Sequence, residues 1–240
     1  MRFYTNVQMV GDNFLVRGYE DGKHFAAREK FYPTLFVDSK RKTKYKTLDG
    51  LPVEPIEPGT VRDCREFIKK YNDVENFNVY GNERFIYQYI SDKYPETELK
   101  FDIEQIKLTT IDIEVKSEYG FPDVESCAEE ILLITLQDYT TKQIRTWGLG
   151  AFNNKQENVI YKSFRTEYEL LTDFINWWMI EDNTPEVITG WNSKLYDIPY
   201  LCRRIDRILG EKLKKRMSPW GLVTEEETFI AGRKHISYDI

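Results

Sequence analysis

From residue 106 onward the chain alternates short apolar runs with amphipathic ones, and this grammar constrains the fold more than any other feature of the sequence. IKLTTIDIEV (106–115), ILLITLQDY (131–139) and KQIRTWGLG (142–150) read as strands. FRTEYELLTDFINWWMI (164–180) predicts a helix with Leu170, Leu171, Phe174, Trp177 and Trp178 on one side. PEVITGW reads as another buried strand, and LYDIPYLCRRIDRILG as the helix after it, with Ile198, Leu201, Ile205, Ile208 and Leu209 as its apolar stripe. Strands in succession, then strand and helix in alternation, predict an α/β (α+β) unit: a mixed sheet covered by helices.

The residues before it follow different rules. RFYTNVQMV, NFLVRGYE, KHFAAREKF and TLFVD read as strands, with hairpin turns at Gly11-Asp12-Asn13 and Asp21-Gly22. LPVEPIEPG (51–59) reads as a loop because of its prolines. A helix follows, with Thr60 as N-cap, Asp63 reaching back to it, and Val61, Cys64, Phe67, Ile68 and Tyr71 at helical spacing. FNVYG and RFIYQYIS read as further short strands. The polar, proline-bearing SDKYPETELK (91–100) marks a boundary, giving a smaller mixed β/α domain over 1–100 and a second domain over 101–240.

Lys and Arg total 34 against 40 Asp and Glu, a net charge of −6, which argues against a general nucleic-acid-coating protein and makes any polyanion site local. Cys64, Cys127 and Cys202 form no close pair, so neither a disulfide framework nor a zinc site is suggested. No apolar run approaches the ~20 residues of a membrane span, and the expected setting is a reducing cytoplasm without membrane partners.

Asp-Ile-Glu occurs twice, at 102–104 and 112–114. Residues two apart on a strand share a face, so Asp112 and Glu114 project together, opposite Ile111, Ile113 and Val115. They sit near the carboxyl end of their strand, where sheets covered by helices gather ligands. Two readings stand: a hard divalent metal between paired acids, or a solvated strand face. The first copy lies in the polar entrance to the domain. Asp197 is a further candidate, in the first turn of a helix that Asn192 or Ser193 can cap, where the helix dipole alone also favours an acid.

TTIDIEV with the loop EYGFPD, then ITGWNSKLYDIPYL, resembles the first and second exonuclease motifs of family B DNA polymerases, most closely the replicative enzymes of T-even-like bacteriophages. The likeness includes YISDKYP and KRMSPWG and runs along the whole chain. It implies a ribonuclease H-like exonuclease domain that hydrolyses a 3′-terminal nucleotide with two metal ions, Mg²⁺ or Mn²⁺, as the proofreading part of a replicative polymerase. By position Asp112, Glu114 and Asp197 then correspond to catalytic metal ligands. Asn192, Tyr196 and Phe121 correspond to positions near the substrate, although Tyr196 can equally pack and a loop phenylalanine such as Phe121 more often covers core. The family's third motif, Tyr-X-X-X-Asp, is not found after Asp197. The expected chain is therefore an N-terminal portion, truncated before that motif and inactive or weak alone. Its expected partners are a single-stranded 3′ end, primer-template DNA and the remaining polymerase polypeptide, in the host cytoplasm if phage-encoded. A noncatalytic nucleic-acid-binding or scaffolding subunit of a split polymerase is the alternative. KLKKR (212–216) with Arg203, Arg204 and Arg207 reads either as a path for a DNA backbone or as a solvated helix end. His24 and His235 are assigned no role.

Overall fold

A computed structural model describes residues 1–81, 83–95, 100–118 and 120–240. Residues 96–99 of the segment read as the domain boundary, and residue 119 of the EYGFPD loop, lie outside them. The chain divides into two compact units, Met1–Gln105 and Ile106–Ile240.

In the first unit β1 (Arg2–Val10), β2 (Asn13–Glu20) and β3 (Lys23–Lys30) form an antiparallel meander. Asp21 and Gly22 both take positive φ, the conformation that matches a tight hairpin to strand twist. A second sheet holds β4 (Leu35–Asp38), β5 (Tyr45–Lys46), β6 (Pro52–Ile56) and β7 (Val79–Tyr80) in the order β5-β6-β4-β7. The strand β6 corrects the loop expected over 51–59. Ser39 N–H donates to Pro52 O at 3.0 Å, so residues 52, 54 and 56 turn their backbone groups toward β4. Pro55 turns its missing donor to the other side, where β5 pairs only with residues 52 and 53.

Helix α1 (Val61–Tyr71) starts as expected, with Thr60 and Asp63 forming a reciprocal capping box. Helix α2 (Phe85–Lys93) corrects the strand expected at RFIYQYIS. Phe85 and Tyr89 are buried, and Ile86 and Ile90 pack beside them, which is a helical stripe. Aromatic and β-branched residues favour strands, but here burial against Phe14 overrides that preference: the Tyr89 ring stacks on Phe14 with centroids 4.8 Å apart.

In the second unit β8 (Leu108–Val115), β9 (Ile131–Asp138), β10 (Ile144–Leu149), β11 (Val159–Phe164) and β12 (Val187–Thr189) form one mixed sheet in the order β11-β10-β9-β8-β12. β9 runs antiparallel to both its neighbours, whereas the β10–β11 and β8–β12 pairs are parallel. β8 and β12 therefore end on the same side of the sheet. Helices α3 (Glu167–Trp178), α4 (Asp197–Leu209) and the short α5 (Glu211–Lys214) follow, then a 3₁₀ turn at Lys215–Met217 and the hairpin of β13 (Thr224–Ile230) and β14 (Arg233–Asp239). This mixed sheet with flanking helices is the α/β (α+β) organisation expected from the sequence. β12 corrects one expectation: it pairs with β8 alone, at the sheet edge, and Val187 and Thr189 are exposed rather than buried.

The core of this unit gathers Ile111 and Ile113 of β8, Ile131, Ile134 and Leu136 of β9, Trp147 of β10, and the stripes of α3 and α4. Burying each such side chain stabilises the fold by about 1.5–3 kcal/mol. The two deepest tryptophans also satisfy their polar edge: Trp147 Nε1–H donates to Asp173 at 2.8 Å and Trp178 Nε1–H to Met217 O at 3.0 Å. No helix among the described residues is long and apolar enough to cross a membrane.

Candidate carboxylate site

Alternation along β8 works as the sequence predicts. Ile111 and Ile113 are buried, while Asp112 and Glu114 emerge on the opposite, exposed face. β12 pairs with β8 only as far as Thr110, and Gly190 then passes over the Ile111 carbonyl. A Cβ at Gly190 would stand 2.4 Å from Ile111 O, so only glycine allows this approach. Gly190→Ala is expected to cost about 1–3 kcal/mol, read as a lowered urea midpoint, because backbone rather than a flexible side chain must yield.

Beyond Gly190 the edge of β8 is taken over by a side chain. Asp197 Oδ1 accepts the Ile113 N–H at 3.0 Å, replacing the ladder bond that β12 no longer supplies. The second Asp-Ile-Glu and Asp197 are thereby joined by a direct bond. Asp197 is the first residue of α4 and only 3% exposed. Burial raises its pKa above the ordinary aspartate range; the Ile113 and Asp197 N–H groups oppose this, and the charges of Asp112 and Glu114 add to it.

An acid raised in this way costs stability once ionised. Its contribution improves as pH falls from above the raised folded value toward the ordinary value of 3.8, and the full cost is present only above that raised value. Asn keeps the acceptor for Ile113 N–H without the charge. Asp197→Asn is therefore expected to stabilise the metal-free protein by about 0.5–2 kcal/mol above the raised folded value, an advantage that shrinks in denaturant titrations as pH falls toward 3.8.

Neither Asn192 nor Ser193 caps α4, contrary to expectation: Tyr196 occupies the cap position, and no side chain bonds there. Asn192 takes a left-handed φ of 55°, which asparagine tolerates, and its carbonyl accepts from Leu195 N–H and Tyr196 N–H. This extra turn moves the helix start to Asp197. Pro199 sits within the first helical turn, where its missing donor leaves no intrahelical bond unmade.

Tyr196 lies beside the acids. Burial first, then the charges of Asp197, Cys127 and Glu114, push its phenol up to about 12, so it remains a neutral donor. Its ring meets Phe121 at 4.8 Å between centroids. Phe121 is 81% exposed and covers no core. Phe121, Asn192 and Tyr196 line one groove of about 410 Å³, together with Arg233, Lys234 and His235 of β14. The sequence reading gave His235 no role, because nothing local to it shows that the hairpin folds back beside Phe121.

The arginines of α4 do not form a cationic path. Arg204 is buried against Glu167, Arg203 binds Glu225, and Arg207 reaches the carbonyls of Ser126 and Cys127. Lys214 and Lys215 pair with Asp206 and Glu211. Asp102 of the first Asp-Ile-Glu accepts from Glu104 N–H and Gln105 Nε2, closing a turn in the first unit.

Carboxylate oxygens are the donors that Mg²⁺ and Mn²⁺ prefer, and Asp112, Glu114 and Asp197 fit such an ion in kind. Among the described residues, however, no three His, Cys, Asp or Glu side chains converge closely enough to hold a metal by themselves.

The family described as DNA polymerase family B, exonuclease domain, matches residues 60–239. The chain is 31% identical to the DNA-directed DNA polymerase of Enterobacteria phage T4, over 92% of this chain and 27% of that protein. It is also 31% identical to the DNA-directed DNA polymerase of Escherichia phage RB69, over 90% of this chain and 27% of that protein. The DNA polymerase catalytic subunit of human herpesvirus 6A (strain Uganda-1102) is 35% identical over 41% of the chain and 10% of its own length. The chain thus spans about a quarter of the length of the phage relatives.

Proposed function

Because this chain belongs to the exonuclease-domain family of family B DNA polymerases, we propose that it contributes the 3′ to 5′ proofreading exonuclease of a replicative DNA polymerase, removing a terminal nucleotide by phosphodiester hydrolysis. The observation that carries this reading is the bond from Ile113 N–H to Asp197, which ties the helix-borne acid to the strand that bears Asp112 and Glu114. Those three carboxylates would hold Mg²⁺ or Mn²⁺, two ions in the complete site. When bound, the ions supply Lewis acidity toward the scissile phosphate and its attacking water.

The remaining residues act on the DNA. In this reading Asn192 hydrogen-bonds the terminal nucleotide, Tyr196 donates its phenolic proton to a phosphate or sugar oxygen, and Phe121 stacks on the unpaired 3′ base. We infer that a further carboxylate completes the site, from a part of the polymerase that this chain, spanning about a quarter of the phage relatives, does not cover. Alone the chain is then weak or inactive. In this reading it works in the cytoplasm, of the host cell if phage-encoded, on the 3′ end of a primer-template and beside the rest of the polymerase.

The test incubates a 3′-labelled single strand with Mn²⁺ and the chain, with and without a polypeptide carrying the polymerase sequence that follows. Trimming that depends on Asp112 and rises with the added polypeptide is the expected result. No Asp112-dependent trimming in either mixture contradicts the function. Robust trimming by the chain alone contradicts the incomplete site.

A second reading, nucleic-acid binding without catalysis, is favoured by one feature of the first unit. Lys40, Arg41, Lys42, Lys44 and Lys46 fall within seven residues. The loop is ordered by Thr43 Oγ1, which donates to Val53 O and to Tyr45 O. Tyr45 adds a partly open ring beside Lys44. Replacing the four cations at 40, 41, 42 and 44 by Gln should flatten the salt dependence of oligonucleotide binding if this loop carries the binding, and leave it unchanged if the carboxylate site does.

A further inference from the structure

Helix α4 does more than carry Asp197. Tyr200, Arg203, Arg204 and Arg207 follow Asp197 at helical spacing and bind the carbonyls of a segment that has no regular structure of its own. Arg203 Nη1 donates to Glu125 O at 2.8 Å, and Arg207 Nη1 to Ser126 O at 3.2 Å and Cys127 O at 3.1 Å. Arg204 Nη1 donates to Cys127 O and Ala128 O, both at 3.1 Å, and Tyr200 Oη–H to Glu129 O at 2.8 Å. Five consecutive carbonyls are thus held by side chains of one helix.

The rest of the segment is fixed by its own turn. Asp123 accepts from Ser126 N–H through its side chain and from Cys127 N–H through its carbonyl, and Cys127 takes a left-handed φ of 46°. Glu167 closes the far end, accepting Ile131 N–H at 2.9 Å while it pairs with Arg204. Only Pro122 separates this turn from Phe121. The face of α4 that presents Asp197 to β8 therefore also sets where Phe121 stands against Tyr196.

Resting on the exonuclease reading above, we propose that Tyr200, Arg203, Arg204 and Arg207 are positioning residues, which register the Phe121 segment to the carboxylates and do not contact the DNA backbone. Arg203 and Arg204 spend Nε and Nη2 on Glu225 and Glu167 and Nη1 on carbonyls, so neither has a fork left for phosphate, while Arg207 commits its Nη1 to two carbonyls. An unheld segment would leave Phe121 free to leave the groove, weakening the hold on a 3′ base without touching the metal ligands.

Arg207→Gln is the variant of choice, because Arg207 is exposed and makes no ion pair among the described residues. Hydrogen exchange on the free chain is the first measurement. Residues 123–130 are expected to exchange about tenfold faster in Arg207→Gln, with α3 and β9 unchanged. Unchanged exchange in 123–130 overturns the proposal whatever the chain does with DNA. The second measurement titrates a single strand carrying 2-aminopurine at its 3′ end, for the chain, Arg207→Gln, Phe121→Ala and the double variant. Expected are weaker binding by about threefold to tenfold in each, no further loss in the double variant, and a salt slope equal to that of the unsubstituted chain. A slope reduced by about one, or additive losses, identifies Arg207 as a phosphate contact and overturns the proposal. Faster exchange in a chain that binds no 3′ end at all would support the positioning and sink the exonuclease reading instead.

Discussion

Glu167→Ala is expected to lower the stability of the second unit by about 3–5 kcal/mol, because it leaves the Arg204 guanidinium buried without its counter-charge. Arg204 is 5% exposed, and its Nε and Nη2 both lie 2.6 Å from Glu167 oxygens. The same substitution orphans the Ile131 N–H at the start of β9. Thermal melting should fall by about 10 °C or more. The double replacement Glu167→Leu with Arg204→Met removes both charges and should recover much of the loss, since an apolar pair of similar size avoids desolvation. Equal losses in the single and double variants would mean that the carbonyl bonds, and not the ion pair, dominate.

The second large effect is chemical. Asp112→Ala should reduce Asp-dependent 3′ trimming by about a thousandfold or more in the completed enzyme, because the acids of a metal site act as one unit. Asp112 is exposed, so the substitution should change the urea midpoint very little. Glu114→Ala should resemble it. A variant that lost trimming and stability together would point to collapse of β8 rather than to loss of a ligand.

How much of this was readable in advance follows from the range of each interaction. The pairing of Asp112 with Glu114 needs only the two-residue period of a strand, and the α1 cap needs only Thr60 and Asp63. Asp197 in a helical first turn was legible, as was the apolar stripe of α4. The strand at 52–56 was not, because which side of Pro55 lacks a neighbour depends on the length of β5. Phe85–Lys93 was misread because strand-favouring side chains there are spaced for a helix, and Phe14 supplies the surface that selects the helix. The exposed edge position of β12 depends on sheet order, which composition does not reveal.

At the site, the resemblance to exonuclease motifs named Asp112, Glu114 and Asp197, but not the Ile113 N–H that joins them. The arginines of α4 show the opposite error. Their charge suggested a polyanion or solvent, whereas their partners are backbone carbonyls and, for Arg203 and Arg204, Glu225 and Glu167, all distant in sequence.

The most direct test of the carboxylate site follows Mn²⁺ binding by electron paramagnetic resonance, with a short single strand present, in the unsubstituted chain and in Asp197→Asn. The account predicts weak binding, about millimolar, in the unsubstituted chain. It predicts loss of that binding in Asp197→Asn, although the metal-free variant is the more stable protein. Equal Mn²⁺ binding by both would contradict the claim that Asp197 joins Asp112 and Glu114 in one metal-binding constellation.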